Sequence, residues 1–134
     1  MPDKVQFELV SPERLLVSRD VGMVVVPGAE GDFGVLPDHA PLISTVRPGV
    51  IEIYDDGQTV SDRIFIAGGF AEVTGDRCTV LATDAVPVKD IDRAAAQAEL
   101  ASLQNELAAM VEDTEREKQA ARIEIVEAKL GAVA

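Results

Sequence analysis

The pattern of hydrophobic and polar positions changes character near residue 86. Before that point, residues 5–9 and residues 50–54 alternate apolar and polar side chains with a period of two, which predicts strands with one buried face. Residues 23–26 are continuously apolar and predict a strand buried on both faces. Glycine and proline interrupt these runs at short intervals, so the first part of the chain predicts eight or more short strands.

Turn sequences predict how these strands connect. Asp55-Asp56-Gly57 predicts a hairpin turn followed by a strand over residues 59–66. Thr74-Gly75-Asp76 predicts a second hairpin, between residues 70–74 and residues 77–81. The connections are too short for the crossover helices that a parallel sheet needs. We therefore predict an antiparallel β-sandwich or flattened barrel.

After residue 86 the hydrophobic period lengthens to that of a helix. Asp90 is expected to cap a first helix that begins at Ile91, with acidic groups at the positive end of its dipole. Residues 114–117 match a capping box and predict the start of a second helix. The predicted apolar stripes are Leu100, Leu103, Leu107 and Met110 on the first helix, and Ala120, Ile123, Val126, Leu130 and Val133 on the second. The few residues between the helices allow only an antiparallel hairpin.

These patterns predict two domains, an all-β sandwich over residues 1–86 followed by an α-helical hairpin over residues 87–134. The first helix carries many small side chains, which would let the helices approach closely and which bury little area at about 25 cal/mol per Å². We therefore expect the hairpin to be held weakly against the sandwich. The small residues concerned are Ala94, Ala95, Ala96, Ala98, Ala101, Ala108 and Ala109.

Composition narrows the range of functions. Hydrophobic residues make up 47% of the 134 residues, which is typical of a folded protein. The net charge of −12 repels nucleic-acid phosphates and anionic lipid, so we expect neither nucleic-acid binding nor direct lipid binding. No apolar run approaches the roughly 20 residues of a membrane span. The first four residues have no basic region leading into an apolar core, so no secretory signal is predicted.

Candidate chemistry is sparse. His39 is the only histidine, which excludes a histidine-based metal cluster, and no serine or cysteine nucleophile is close to it in sequence. A small enzyme using His39 is one alternative, although a structural or contact role is favoured. Cys78, the single cysteine, is interpreted as a small buried hydrophobic residue. Gly28, Gly31 and Gly34 are explained better by turns than by a phosphate loop, and Gly68-Gly69 by a bulge or a close backbone approach.

Three stretches resemble the ATP synthase epsilon family. Residues 31–43 read GDFGVLPDHAPLI, close to that family's signature of G-x-x-G, two hydrophobic residues, P-G-H-A-P and two more hydrophobic residues. Residues 67–73 (AGGFAEV) and the opening residues 5–13 (VQFELVSPE) also match, in the same order along the chain. Asp38 stands where the family commonly has glycine, which predicts a local turn that tolerates a side chain.

The resemblance implies a non-catalytic subunit in the central stalk of a proton-translocating ATP synthase. It implies a ten-stranded sandwich and two C-terminal helices, binding to the gamma subunit, and a contact with the c-subunit ring through a loop carrying Glu30, Asp32 and His39. Carboxylates there would suit basic groups on a partner. The implied location is the cytoplasmic face of the bacterial inner membrane, as a peripheral protein. The plant organelle form of the family is an alternative that the acidic start of the chain disfavours.

The family's hairpin often inhibits ATP hydrolysis by extending into the catalytic alpha/beta head, and in some bacteria ATP binding holds it folded. That nucleotide motif resembles Ile/Leu-Asp-x-x-Arg-Ala, whereas this chain has Ile91, Asp92 and Arg93, with the arginine two places early. On a helix the shift rotates the arginine by about 200°. We therefore expect no bound ATP and no other cofactor.

An inhibitory hairpin within the same complex stays the alternative function. The cations of the second helix that would meet acidic groups on a catalytic subunit are Arg116, Lys118, Arg122 and Lys129. They alternate with acidic residues, which often indicates pairing within one solvated helix. We interpret the hairpin as structural rather than inhibitory.

Overall fold

The computed structural model describes residues 4–133. Residues 1–3 and 134 lie outside the described residues, and so does most of the N-terminal segment for which no secretory signal is predicted. Ten strands are followed by one 3₁₀ turn (Val88–Asp90) and two helices. The strands are β1 (Val5–Val10), β2 (Leu15–Val21), β3 (Met23–Gly28), β4 (Gly31–Val35), β5 (Leu42–Val46), β6 (Gly49–Tyr54), β7 (Asp62–Ile66), β8 (Gly69–Thr74), β9 (Arg77–Ala82) and β10 (Ala85–Pro87). The helices are α1 (Arg93–Ala109) and α2 (Asp113–Ala132).

The strands form one sheet that folds over itself into a sandwich. Their order is β10-β7-β6-β3-β5-β8-β9-β1-β2, with β4 paired to the other side of β3. β3 and β5 meet only at Gly28 and Val46, and the sheet turns from one layer into the other at that corner. On the opposite side, Arg19 of β2 reaches Asp55 at 3.2 Å and Asp62 at 2.5 Å across the two layers. The predicted fold class, a β-sandwich followed by a helical hairpin, is confirmed.

One strand pair departs from the antiparallel prediction. β1 and β9 run parallel, with Phe7 beside Cys78 and Leu9 beside Val80. The prediction considered only strands adjacent in sequence, whose short connections do exclude a parallel arrangement. β1 and β9 are distant in the sequence, so they need no dedicated crossover.

The core lies between the two layers, and two strands are covered on both of their faces. β3, predicted to be such a strand, has no exposed residue: Met23 and Val25 are half-buried and residues 26–28 are buried. β7 was not predicted to be one, and its residues 64–66 are all buried. Ile64 and Ile66 belong to the interior cluster, while Phe65 points to the opposite face and is 2% exposed. Successive strand residues face opposite sides of a sheet, so something outside the sandwich must cover Phe65. The helical hairpin covers it, as α2 packs on β6 and Lys129 Nζ lies 5.8 Å from the Phe65 ring.

Two predicted boundaries of the hairpin are wrong. The first helix begins at Arg93 and its cap is Asp92, whose carboxylate accepts a hydrogen bond from the Ala95 N–H at 3.1 Å. Asp90 instead ends the 3₁₀ turn, after which the backbone is extended at Ile91. The second helix begins at Asp113 without a side-chain cap, so the capping box predicted at residues 114–117 does not form.

The predicted stripe of the first helix is half-buried throughout, but the close approach expected from its alanines and one position of the second stripe need correction. Six of the seven small residues named above are exposed, and only Ala96 is buried. On α2, Ala120 is exposed while Gln119 is 1% exposed.

β7 begins at Asp62 and not at residue 59, because the carboxylate of Asp56 holds the turn by accepting hydrogen bonds from the N–H groups of residues 58 and 59. These hydrogen bonds stabilise the ionised carboxylate and lower the pKa of Asp56, and the bond from the Thr59 N–H has the largest effect.

Cys78 makes the stability of the sandwich depend on pH. It is 0% exposed, and burial raises the pKa of its thiol from 9.0 to about 12, because the core disfavours the thiolate. The folded state keeps this proton at pH values where the unfolded state loses it, so the contribution is complete below the unfolded pKa and is lost as the pH rises above it. We expect the free energy of unfolding to fall by about 1.4 kcal/mol per pH unit from this group between about pH 9.5 and 11.

Denaturant titrations across this pH range measure the effect. Cys78→Ala is the matched variant, since it keeps a small apolar side chain and removes the titrating group. The slope of stability against pH should be shallower in Cys78→Ala than in the unmodified chain. Equal slopes would show that the thiol does not titrate in the way its burial implies.

Candidate functional site

The turn between β3 and β4 carries the first predicted contact residue. Gly28 pairs with Gly31, so only Ala29 and Glu30 form the loop of this hairpin. Gly31 has φ +137°, a backbone conformation that favours glycine, and the Ala29 N–H donates to the Thr45 carbonyl at 2.8 Å. Glu30 is exposed at the tip of the turn. The turn therefore presents one carboxylate to solvent on a short, well-defined loop.

Asp32 lies at the start of β4, next to this turn, but its carboxylate has a partner within the chain. Arg47 Nη2 donates to Asp32 Oδ1 at 2.5 Å, and Arg47 Nη1 donates to the Gly28 carbonyl at 2.5 Å. The guanidinium therefore bridges both ends of the turn. Of the two predicted carboxylates, Asp32 is charge-paired and Glu30 has no ion pair among residues 4–133.

His39 does not lie with these two residues, contrary to the prediction of one loop carrying all three. It belongs to the connection between β4 and β5, at the end of β4 away from Glu30. The length of β4 separates the two ends by about 13 Å, at about 3.3 Å per residue. The connection is fixed to the β8–β9 turn, where the Asp38 N–H donates to the Gly75 carbonyl at 2.7 Å. Asp38 has φ +64°, which confirms the turn expected from its replacement of glycine.

An exposed apolar face on the outer surface of the sandwich was not predicted. We call this surface the β5–β8–β9 face and define it by Ile43, Phe70 and Leu81, which are 75%, 59% and 46% exposed. Phe70 pairs with Thr45 on one side and with Leu81 on the other. Leu81 in turn lies beside Val10, which pairs with Leu15. The apolar row therefore spans four strands, β8, β9, β1 and β2, and Ile43 of β5 lies diagonally beside Phe70, because Thr45 is the residue that pairs with it. Contiguous exposed apolar residues of this kind mark contact surfaces.

A sequence signal for the β5–β8–β9 face existed. In residues 69–74 the buried positions are Ala71 and Val73, so the alternation places Phe70 on the outer face. The feature that predicts the β5–β8–β9 face is an aromatic residue at a strand position where the alternation predicts a polar, outward-facing side chain.

The predicted nucleotide motif lies in an acidic groove. Asp92 is occupied as the cap of α1, and Arg93 is exposed at the first position of that helix. Ile91 and Asp92 line a cavity of about 390 Å³ between β10, α1 and α2. Its charged lining residues are Asp84, Asp90, Asp92, Glu99 and Lys129. Four carboxylates and one ammonium repel a polyphosphate, which supports the expectation that ATP does not bind here.

The four cations of α2 make contacts within the chain. Arg116 Nη1 donates to the carbonyls of Leu107 and Met110, at 2.8 and 2.7 Å, and so caps the C-terminal end of α1. Lys118 lies 3.7 Å from Glu115 on the same helix. Arg122 donates to the side chain of Gln119 at 2.9 Å, and Lys129 lies over Phe65. Arg116 therefore holds α2 to α1, and Lys129 contacts the sandwich, whereas the contacts of Lys118 and Arg122 lie within α2.

Gln119 connects the two helices, and sequence reasoning missed it because a polar residue was not expected inside the hairpin. Its Nε2 donates to the Leu103 carbonyl and to Glu106 Oε2, both at 3.0 Å. Its Oε1 accepts from Arg122. A buried amide with all these partners fixes how the helices align, because a slipped alignment would leave it unsatisfied.

Gln119→Ala is expected to loosen the hairpin and leave the sandwich intact. The loss of a buried hydrogen-bonded group costs about 1–2 kcal/mol, so amide exchange in α1 and α2 should accelerate about tenfold. Gln104→Ala, at an exposed position of α1, is the matched control. Unchanged exchange in the helices of Gln119→Ala, or an equal effect of both variants, would contradict the role given to Gln119.

Comparison with known proteins gives the family. Residues 4–88 match the family model described as ATP synthase, Delta/Epsilon chain, beta-sandwich domain. The ATP synthase epsilon chain of Rhodospirillum centenum is 54% identical over an alignment covering 100% of this chain and 94% of that protein. The chain belongs to the ATP synthase epsilon chain family. The epsilon chain of Rhodospirillum rubrum is 52% identical, with 98% of each chain covered.

Solved structures share the epsilon-family fold. A chain in the structure of the Euglena gracilis mitochondrial ATP synthase (OSCP/F1/c-ring, rotational state 1) superposes with a TM-score of 0.87 at 24% identity, covering 100% of this chain and 84% of that one. A chain in the Tetrahymena thermophila mitochondrial ATP synthase (central stalk/c-ring) superposes with a TM-score of 0.68 at 13% identity, covering 98% and 97%. At these identities the likeness shows the fold alone.

Two features of other protein classes are absent from the described part of this epsilon-family chain. Within residues 4–133, no group of three or more His, Cys, Asp or Glu side chains is placed to hold a metal ion. Neither α1 nor α2 has the length and apolar character needed to cross a bilayer.

Proposed function

We propose that this chain is a non-catalytic rotor subunit of a proton-translocating ATP synthase, joining the gamma subunit to the c ring. The observation that carries the proposal is the presence of two different contact surfaces on one sandwich. One is the apolar β5–β8–β9 face, and the other is the charged turn that presents Glu30. A subunit that links two partners within a rotor needs two such surfaces, and the sandwich between them keeps their spacing fixed.

The β5–β8–β9 face is the surface we assign to gamma. Phe70 is an exposed aromatic residue on the middle strand of this face, and exposed aromatic side chains are common anchors of protein interfaces. Apolar contacts do not require a charged partner, so this face can bind a partner whatever the sign of its charge, although the chain itself has a net charge of −12.

The β3–β4 turn is the surface we assign to the c ring. Glu30 is exposed on a tight turn, and a carboxylate there suits basic groups on the polar loops of a partner. Asp32 supports the turn through Arg47. His39, the third residue expected at the ring, lies at the other end of β4, beside the exposed Leu36 and near the β8–β9 turn. The proposed ring contact therefore rests on Glu30. The proposed location is peripheral, at the cytoplasmic face of the bacterial inner membrane.

We assign the hairpin a structural role within this function. Its four cations are engaged inside the chain, its groove near Asp92 is acidic, and it covers Phe65, which would otherwise be an exposed aromatic residue. The second candidate function is inhibition of ATP hydrolysis by an extended hairpin reaching the alpha/beta head. It requires α2 to break the contacts of Arg116 and Gln119 with α1 and that of Lys129 with Phe65. No observation on the hairpin favours that function over the structural one.

Truncation of the chain tests the assignment. A variant ending after residue 88 should still assemble with the synthase and leave the rate of ATP hydrolysis unchanged. Recovery of the complex by the truncated chain is the control that the sandwich has folded. A rise in ATP hydrolysis on truncation, with normal assembly, would make the hairpin an inhibitor.

A further inference from the structure

We propose that Arg47 is a positioning residue that holds Glu30 in place for its partner, and that Asp32 is part of this support and not of the contact surface. The inference rests on the proposed ring contact of the β3–β4 turn. It divides the two carboxylates of the turn into one that faces a partner and one that faces the chain.

Four hydrogen bonds tie the turn to the segment from β5 to Arg47, and three of them come from Arg47. Its backbone N–H donates to the Pro27 carbonyl at 2.9 Å, and its guanidinium donates to the Gly28 carbonyl and to Asp32. The fourth is the bond from Ala29 to Thr45. These partners lie on both sides of Glu30 in sequence, so one side chain fixes the entry and the exit of the turn.

The location of Arg47 explains how a surface contact can have a functional effect. Gly28 and Val46 form the corner where the sheet passes from one layer to the other, and Arg47 directly follows this corner. Because Arg47 is anchored there, its hydrogen bonds fix the position of Glu30 relative to both layers of the sandwich. The planar guanidinium suits this task, because its fork reaches two acceptors in a fixed geometry.

Charge pairing leads to the same division of roles. The side chains of Arg47 and Asp32 are 42% and 60% exposed, so their pairing adds little to global stability. The pair nevertheless neutralises Asp32 locally, and the net charge that the turn offers to a partner is that of Glu30. Glu30 therefore sets the preference for a basic partner at this end of the molecule.

The first test separates the roles of the two carboxylates by isosteric replacement. Coupling, the ratio of ATP-driven proton pumping to ATP hydrolysis, is measured in bacterial membranes carrying the full-length variants. Asp32→Asn keeps an acceptor oxygen for Arg47 and removes the charge, so coupling should stay near that of the unmodified chain. Glu30→Gln should lower coupling about threefold or more, as the loss of a charged contact does. An equal loss in both variants would overturn the assignment of Asp32.

The second test asks whether Arg47 acts through Glu30. Arg47→Met should lower coupling as much as Glu30→Gln does, and the double variant should be no worse than either single one. Arg47→Lys keeps one of the two side-chain contacts and should recover part of the loss. Arg63→Met, at another exposed arginine, is the control and should leave coupling unchanged. Additive effects of Arg47→Met and Glu30→Gln would show a merely structural role and overturn the proposal.

Hydrogen exchange in the isolated chain makes the outcomes distinguishable. Arg47→Met should accelerate exchange of the amides of residues 29–31 while the melting transition stays in place. Unchanged exchange there would overturn the positioning role whatever the membranes show. If Glu30→Gln keeps full coupling, the ring contact itself is wrong and the functional role of Arg47 falls with it, although the accelerated exchange would remain.

Discussion

Gly69→Ala is expected to prevent the sandwich from folding. A β-carbon at Gly69 would lie 1.9 Å from the backbone oxygen of Leu81, on the strand paired with it, and a backbone atom cannot move aside without breaking the ladder. Gly69 also has φ +148°, where a residue with a side chain is strained. The two effects together should cost more than about 4 kcal/mol, most of the stability of a small domain.

Chemical denaturation and circular dichroism of the purified variant measure this effect. Gly75→Ala is the matched control, because a β-carbon at Gly75 meets no atom within 4 Å and its φ is not positive. The control should unfold within about 1 kcal/mol of the unmodified chain. A Gly69→Ala variant as stable as the control would show that β8 and β9 do not approach as closely as the structure has them.

Phe70→Glu is expected to abolish useful binding to the gamma subunit. The side chain is 59% exposed and central to the β5–β8–β9 face, so the substitution places a charge where the proposed interface excludes water. The loss of such an anchor typically costs about 2 kcal/mol or more, which corresponds to a dissociation constant raised about thirtyfold or more. Because Phe70 points outward, the free energy of unfolding should change far less than the binding energy.

Titration of the purified chain against gamma, with each variant in turn, gives the dissociation constants. Val111→Glu is the matched control, since Val111 is 92% exposed at the tip of the hairpin and far along the chain from this face. The control should bind gamma as the unmodified chain does. Equal binding by Phe70→Glu and Val111→Glu would show that gamma does not dock on the β5–β8–β9 face.

The architecture was predictable because its signals are local. Period-two alternation located β1 and β6, the turn at residues 74–76 located the β8–β9 hairpin, and the Gly68-Gly69 pair indicated the close approach that the structure has. The helical period identified both helices. Each of these inferences depends on neighbouring residues alone, which is why the sequence sufficed.

The cap of α1 was a choice between two neighbouring aspartates, and only the structure shows that Asp92, not Asp90, accepts the capping hydrogen bond. Two other details that were wrong depend on partners distant in the sequence, namely the parallel pairing of β1 and β9 and the burial of Phe65 beneath α2. The same is true of the site. Family resemblance pointed to Glu30 and Asp32 as contact residues, which stays a prediction, but it did not indicate the pairing of Asp32 with Arg47 across the sheet corner. Gln119 was missed because its burial follows from the helix–helix alignment that it helps to fix.

The central claim is that this chain joins gamma to the c ring, and co-purification tests it most directly. The tagged chain is recovered from bacterial membranes solubilised in mild detergent, and the recovered subunits are identified and compared with those held by Phe70→Glu and Glu30→Gln. The account predicts recovery of gamma and the c ring with the unmodified chain, and a specific loss of gamma contact in Phe70→Glu. Recovery of neither gamma nor the c ring with the unmodified chain would contradict the account.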